Sequence, residues 1–142
     1  MRVRIDTYAH RLAYENHAPP AELAARFSAA YTTAIALQCG HLRHDAINAE
    51  ALRDPAVLSL VERTEVLHDP ALDAHYPAGR PARVTLSLHD GRELTETCIY
   101  PRGDSTNPST REERRAKATA LLASRLGDAG AARVTVAFDA LL

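Results

Sequence analysis

The sequence has no tryptophan, and its 142 residues include only one methionine and two cysteines. Cys39 and Cys98 allow one disulfide at most, so there is no disulfide framework and a reducing, cytoplasmic location is expected. Neither cysteine belongs to a Cys-x-x-Cys pair, and the close pair His41 and His44 has no third ligand at a suitable spacing. We therefore expect no bound metal.

An excess of charge and long apolar runs are also missing. Lys plus Arg number 17 and Asp plus Glu number 18, so bulk charge does not favour a nucleic-acid partner. No segment approaches the roughly 20 apolar residues that span a bilayer, and residues 1–6 lack the apolar core of a signal peptide. Neither nucleic acid nor membrane is expected as a partner. Glycine motifs of hydrolases, NTPases and dinucleotide-binding enzymes are absent as well.

The composition that remains is that of one globular domain over residues 1–142, with 46% hydrophobic and 25% charged residues. Periodicity in the first half predicts a strand over 2–8, a helix over 20–40 and short helices over 48–52 and 55–62. Asp54 is the predicted N-cap of the last of these helices.

The second half predicts strands first and helices afterwards. Strand candidates are 65–68, 83–89 and 92–100, and Asp90-Gly91 between the last two matches a two-residue hairpin turn. Ser109 and Glu112 have the spacing of a capping box at the start of a charged helix that runs to about Leu126. Gly127 and Gly130 interrupt this helix, and for 131–142 a final helix is favoured over a strand. The expected class is α+β, a mainly antiparallel sheet packed against helices, with 109–142 as a helical extension of the same unit.

Four segments, in order along the chain, resemble motifs of the C-terminal part of the MmgE/PrpD family. The segments are Ala25-Arg26-Phe27-Ser28-Ala29-Ala30-Tyr31, Leu52-Arg53-Asp54-Pro55-Ala56-Val57, Tyr76-Pro77-Ala78-Gly79-Arg80-Pro81-Ala82-Arg83-Val84 and Pro101-Arg102-Gly103-Asp104-Ser105-Thr106-Asn107-Pro108. Ala30 and Ser105 stand where proline is common in the family. The stretch from the first segment to the last, 25–108, takes up most of the chain, which makes the resemblance fairly specific.

The resemblance implies a lid domain. Family members, which include 2-methylcitrate dehydratase, cis-aconitate decarboxylase and iminodisuccinate epimerase, resemble one another in having a large all-helical domain and a smaller α+β lid over the active-site cleft. Their implied chemistry is cofactor-free proton abstraction beside a carboxylate of a di- or tricarboxylate, followed by loss of water, loss of carbon dioxide or reprotonation. Their acid/base residues belong to the helical domain and match no position here, so no catalytic residue is assigned. Activity is then expected only with a helical domain or subunit as partner.

The same resemblance implies three substrate-binding residues, Tyr31, Ser28 and Arg26. A phenol can hydrogen-bond a carboxylate without adding charge, and a guanidinium can pair with it through two parallel bonds. Helical spacing also allows a different role, in which Tyr31 packs beside Phe27.

Three alternatives stay open at this point. The chain is a non-catalytic interaction or homodimerisation module derived from the family, an isomerase or epimerase of the same family, or a small standalone enzyme that uses Tyr31 with a nearby histidine.

Overall fold

The chain forms two compact units, Met1–Pro101 and Arg102–Leu142, and the computed structural model describes residues 1–139. A division by compactness does not test cooperative folding, so the single domain over 1–142, with 109–142 as its extension, stays a prediction. Within residues 1–139, no helix combines the length and apolar composition needed to cross a bilayer.

The first unit is an α+β structure, which confirms the expected class. Its elements, in chain order, are β1 (Arg2–Thr7), α1 (Ala9–Leu12), α2 (Glu22–Ala25), α3 (Ala29–Cys39), a 3₁₀ turn (Ala51–Arg53), α4 (Pro55–Glu62), β2 (Thr64–His68), α5 (Pro70–Asp73), β3 (Ala82–Ser87) and β4 (Glu93–Cys98). The four strands form one sheet in the order β2-β1-β3-β4.

This sheet is mixed rather than purely antiparallel. The β1–β3 and β3–β4 pairs are antiparallel, whereas β1 and β2 run parallel, with Val3 opposite Thr64. Parallel neighbours need a crossover connection, and here α2, α3 and α4 lie in the chain between β1 and β2. Strand periodicity alone carries no information about this pairing.

The core of the first unit lies where α3 and α4 pack together beside the sheet. Val3 and Ile5 alternate along β1 and are both buried. Four residues of α3 are buried: Ala30 and Ala34 are small, and Tyr31 and Ile35 supply most of the volume.

The prediction of one continuous helix over 20–40 is wrong, because the structure divides this segment into α2 and α3. Ser28 is extended, with φ −88° and ψ 123°, and its hydroxyl accepts a hydrogen bond from the Tyr31 amide at 3.1 Å. A serine in this conformation starts a new helix instead of continuing one. The predicted end at Gly40 is confirmed, since Gly40 takes the left-handed conformation with φ 73°.

The hairpin is confirmed at its predicted place, but its loop is longer than predicted. The Leu88 amide donates to the Arg92 carbonyl at 2.8 Å, which leaves three residues, 89–91, in the loop. Of these only Gly91 has a positive φ, at 86°, as in hairpins that combine a type I turn with a left-handed residue.

The second unit contains one long helical segment, α6 (Arg111–Asp139), which is broken at Gly127 by φ 68° and ψ 170°. The helix favoured for 131–142 is confirmed over 131–139, and residues 140–142 lie outside the described part. The capping box is displaced by one residue from its predicted position. The Glu113 amide donates to Thr110 Oγ1 at 3.1 Å and the Thr110 amide donates to Glu113 Oε2 at 2.7 Å.

The displaced capping box predicts different effects for two neighbouring substitutions. Thr110→Ala removes the acceptor for the Glu113 amide, so the start of α6 loses about 1 kcal/mol. Ser109→Ala removes no side-chain cap and serves as the control. Hydrogen exchange at the Glu113 amide should speed up in Thr110→Ala and stay near wild type in Ser109→Ala; the reverse order would place the cap at Ser109.

Candidate functional site

The N-terminus of α3 is closed by a carboxylate from another segment. Glu15 Oε1 accepts from the Ser28 hydroxyl at 2.7 Å and from the Ala30 amide at 3.2 Å, while Oε2 accepts from the Ala29 amide at 2.7 Å. These amides have no partner within the helix, and a negative charge at this end is also favoured by the helix dipole. Arg11 Nη1 lies 3.9 Å from Glu15 Oε2 and partly balances the negative charge of this carboxylate. Glu15 therefore fixes the position of the helix start.

Ser28 connects Glu15 to the first turn of α3. Its side chain is fully buried, donates to Glu15 and accepts from the Tyr31 amide. The hydroxyl proton and one lone pair of Ser28 are thus bound to protein atoms.

Tyr31 projects into the core. The residue is 1% exposed, and its hydroxyl donates to the Leu52 carbonyl at 2.7 Å. Burial raises the pKa of this phenol, and the Asp54 carboxylate raises it further. Phe27, in contrast, is 55% exposed, and its ring lies beside that of Tyr14 at a centroid distance of 6.3 Å.

Arg26 is the exposed member of the predicted trio. Its Nη2 donates to the carbonyls of His44 and Ile47, at 3.0 and 3.3 Å, and this holds the guanidinium against the loop after α3. The structure therefore brings Arg26, Ser28 and Tyr31 to one corner of the first unit, each with partners inside the protein. A contact of any of them with substrate stays a prediction.

A shallow cleft of about 510 Å³ lies beside this corner. Its lining includes the cation of Arg53 and the carboxylate of Glu22. The other side chains of the lining are apolar: Pro19, Pro20, Ala21, Leu23, Ala49 and Leu52. Because the Leu52 carbonyl holds the Tyr31 hydroxyl, the wall of the cleft is connected directly to the core.

Aromatic side chains form a second cluster, which the sequence patterns do not predict. Tyr8 stacks on Tyr76 with centroids 4.9 Å apart, and His10 stacks on the same ring at 5.2 Å. Tyr14 meets His10 edge-on at 5.6 Å, and Arg80 lies 5.4 Å from the Tyr76 ring centre. Only the four-residue separation of His10 and Tyr14 hints at this arrangement in the sequence, because Tyr76 and Arg80 come from a distant loop.

Comparison with known proteins identifies the family. The family model of the MmgE/PrpD C-terminal domain matches residues 1–141, essentially the whole chain. The chain belongs to the MmgE/PrpD C-terminal domain family. No curated protein matches it significantly. An MmgE/PrpD C-terminal domain is, as its name says, one part of a larger architecture.

The closed start of α3 predicts a large effect for one glutamate and a small effect for another. Glu15→Ala leaves the Ala29 and Ala30 amides without acceptors and the Ser28 hydroxyl without its carboxylate, so the free energy of unfolding should fall by about 2 kcal/mol. Glu22→Ala, at an exposed position in the first turn of α2, is the matched control and should change it by less than about 0.5 kcal/mol. Urea unfolding followed by circular dichroism measures both. Equal effects would remove the special role of Glu15.

The buried phenol predicts a pH dependence at the alkaline end. Because the folded-state pKa of Tyr31 is raised above its ordinary value of 10.0, its stabilising contribution is complete below about pH 10 and is lost as the pH rises through the folded value. Tyr31→Phe should be less stable than wild type by about 1 kcal/mol at pH 7. Its stability should also fall less steeply than that of wild type above about pH 10. Parallel pH curves for the two proteins, from urea unfolding, would contradict the buried, protonated phenol.

Proposed function

We propose that this chain is the lid domain of an MmgE/PrpD-type lyase that dehydrates or decarboxylates a di- or tricarboxylate, such as 2-methylcitrate or cis-aconitate, without a cofactor. The family match over residues 1–141 carries the proposal. In this proposal, a helical catalytic domain or subunit supplies the acid and the base, and this chain is inactive alone.

The proposed reaction needs three things from the protein. A base must remove a proton beside a carboxylate, donors must stabilise the enolate-like charge that develops, and water must be kept out while the intermediate exists. The corner around Arg26 and the neighbouring cleft suit the last two tasks, since they combine a fixed cation with apolar walls. The base comes from the partner in this proposal.

Among the three predicted substrate residues, Arg26 is best placed to meet a carboxylate. Among residues 1–139, the carbonyls that accept from Arg26 are bonded through its Nη2, so the rest of the guanidinium fork can pair with a ligand while the side chain stays anchored. Tyr31 would have to break its bond to the Leu52 carbonyl to donate to substrate. We propose that Arg26 binds a substrate carboxylate, and that Ser28 and Tyr31 contribute by holding the corner that presents it.

Reconstitution tests the proposal. The full chain is mixed with the separately expressed helical portion of an MmgE/PrpD protein, and 2-methylcitrate dehydration and cis-aconitate decarboxylation are assayed. We expect turnover from the mixture and none from either component alone. Arg26→Gln should raise KM by about tenfold or more, whereas Arg43→Gln, an exposed arginine paired with Asp45, is the control that should leave KM unchanged.

Other results would point away from a lyase lid. Turnover by the chain alone would support the standalone enzyme. Proton exchange or epimerisation of a substrate without loss of water or carbon dioxide would support the isomerase alternative. An inactive mixture, with light scattering that shows a stable dimer of the chain, would support the interaction module.

A further inference from the structure

The strand β4 (Glu93–Cys98) forms one edge of the sheet, with β3 beside it on one side only. All six of its residues are exposed, so neither face of the strand is buried. Leu94 is 52% exposed, and it lines a shallow depression of about 430 Å³ together with the half-buried Val84 and Leu86 of β3. An edge strand of this kind presents main-chain groups that a further strand can bond.

The hairpin determines which main-chain groups of β4 point outward. The Leu88 amide donates to the Arg92 carbonyl, and bonded and non-bonded pairs alternate along an antiparallel ladder, so every second residue after Arg92 also bonds β3. The 3.0 Å contact between the hydroxyls of Thr85 and Thr95 agrees with this, since side chains lie closest in the non-bonded pairs. The amides and carbonyls that point away from β3 are those of Glu93, Thr95 and Thr97.

We propose that β4 pairs antiparallel with β4 of a second copy of the chain, about a two-fold axis at Leu94, and that the two sheets thereby become one continuous sheet. The outward main-chain groups of Glu93 in each copy then bond those of Thr95 in the other. A two-fold axis suits this contact, because both copies use the same edge and the association closes at a dimer.

The side chains favour this axis over the neighbouring ones. Leu94 lies opposite Leu94 of the other copy, in a pair without main-chain bonds, where side chains approach most closely. Arg92 of each copy lies opposite Glu96 of the other, so opposite charges face each other on both sides of the axis. An axis at Thr95 places Leu94 opposite Glu96 instead, and an axis at Glu93 or Glu96 places that glutamate opposite itself.

Glu96 and Arg92 are both available for these ion pairs. The Glu96 side chain has no hydrogen bond or ion pair within residues 1–139. Asp90 accepts from Arg92 Nε at 2.7 Å, which leaves the two terminal nitrogens of this guanidinium for a carboxylate of the other copy. Charged residues on an edge strand usually oppose pairing. Here they select the register in which their charges are complementary, and this self-complementarity favours a second copy over a foreign strand.

The short overlap predicts a weak dimer. Residues 92–96 of the two strands pair, so the buried area falls below the roughly 1,000 Å² of a stable interface. The full chain should be mainly monomeric at about 10 μM and mainly dimeric at about 1 mM. Sedimentation equilibrium over this range measures the dissociation constant.

Charge-reversal variants test the register. Glu96→Arg places an arginine opposite Arg92, and Arg92→Glu places a glutamate opposite Glu96, so each variant should self-associate about tenfold more weakly than wild type. In an equimolar mixture of the two variants, the mixed dimer has complementary charges, and its dissociation constant should return to within about threefold of the wild-type value. Glu62→Arg makes the same change of charge at an exposed position of α4 and should leave association unchanged.

A disulfide tests the position of the axis. The chain's own exposed cysteines, Cys39 and Cys98, are first changed to serine. In this background Leu94→Cys brings two thiols opposite each other in the dimer, at a cross-strand spacing that a disulfide can span. Oxidation should convert Leu94→Cys to a covalent dimer at least about tenfold faster than Leu58→Cys, the control on the exposed side of α4.

A chain that stays monomeric up to about 1 mM would overturn the proposal. So would a mixture of the two charge variants that associates no more tightly than either variant alone, or equal crosslinking of Leu94→Cys and Leu58→Cys. Circular dichroism confirms that each variant keeps the wild-type fold, so that lost association is not lost folding.

The dimer and the lyase lid are tested independently. No residue of 92–96 lines the cleft beside the Arg26 corner, and the readout here is association rather than turnover. Failure of the dimer leaves the lyase proposal standing, and failure of reconstitution leaves the dimer standing.

Discussion

The carboxylate of Glu15 at the N-terminus of α3 is the interaction on which the candidate site depends. It accepts from two backbone amides and from the Ser28 hydroxyl, so it fixes both the start of the helix and the direction of the chain that enters it. Because α3 starts there, Tyr31 falls on the core side of its first turn, while Phe27, before the start, stays exposed. One partly buried carboxylate thereby separates the side chains that build the core from those that meet solvent.

Local patterns predicted much of the fold. Asp54 caps α4 as expected, accepting from the Ala56 amide at 2.8 Å, and the hairpin lies at Asp90-Gly91. These features depend on neighbouring residues, so the sequence around them contains the necessary information. The shift of the capping box from Ser109 to Thr110 shows the limit of this reasoning, since Ser109–Glu112 and Thr110–Glu113 fit the same pattern and only the helix start distinguishes them.

Features that depend on distant residues were not predictable in this way. The parallel pairing of β1 with β2 joins strands far apart in the chain, and the break at 26–28 is strengthened by Glu15, which lies outside the helical pattern. The family resemblance was needed to point to Arg26, Ser28 and Tyr31, because nothing in their spacing separates a substrate residue from a packed one. Their partners, the carbonyls of His44, Ile47 and Leu52, become visible only when the chain is folded.

The closed helix start also limits how the proposed lid recognises a carboxylate. A free helix N-terminus is a natural anion site, since its amides point outward and its dipole is positive. Here the protein's own Glu15 occupies that position, and a second carboxylate beside it would face charge repulsion. In the proposed lid, a side-chain cation at the edge of the corner binds the carboxylate instead, and a side chain already held by backbone carbonyls loses little conformational entropy when it binds. Arg26 meets both conditions, whereas Tyr31 and Ser28 have their polar atoms committed to the interior.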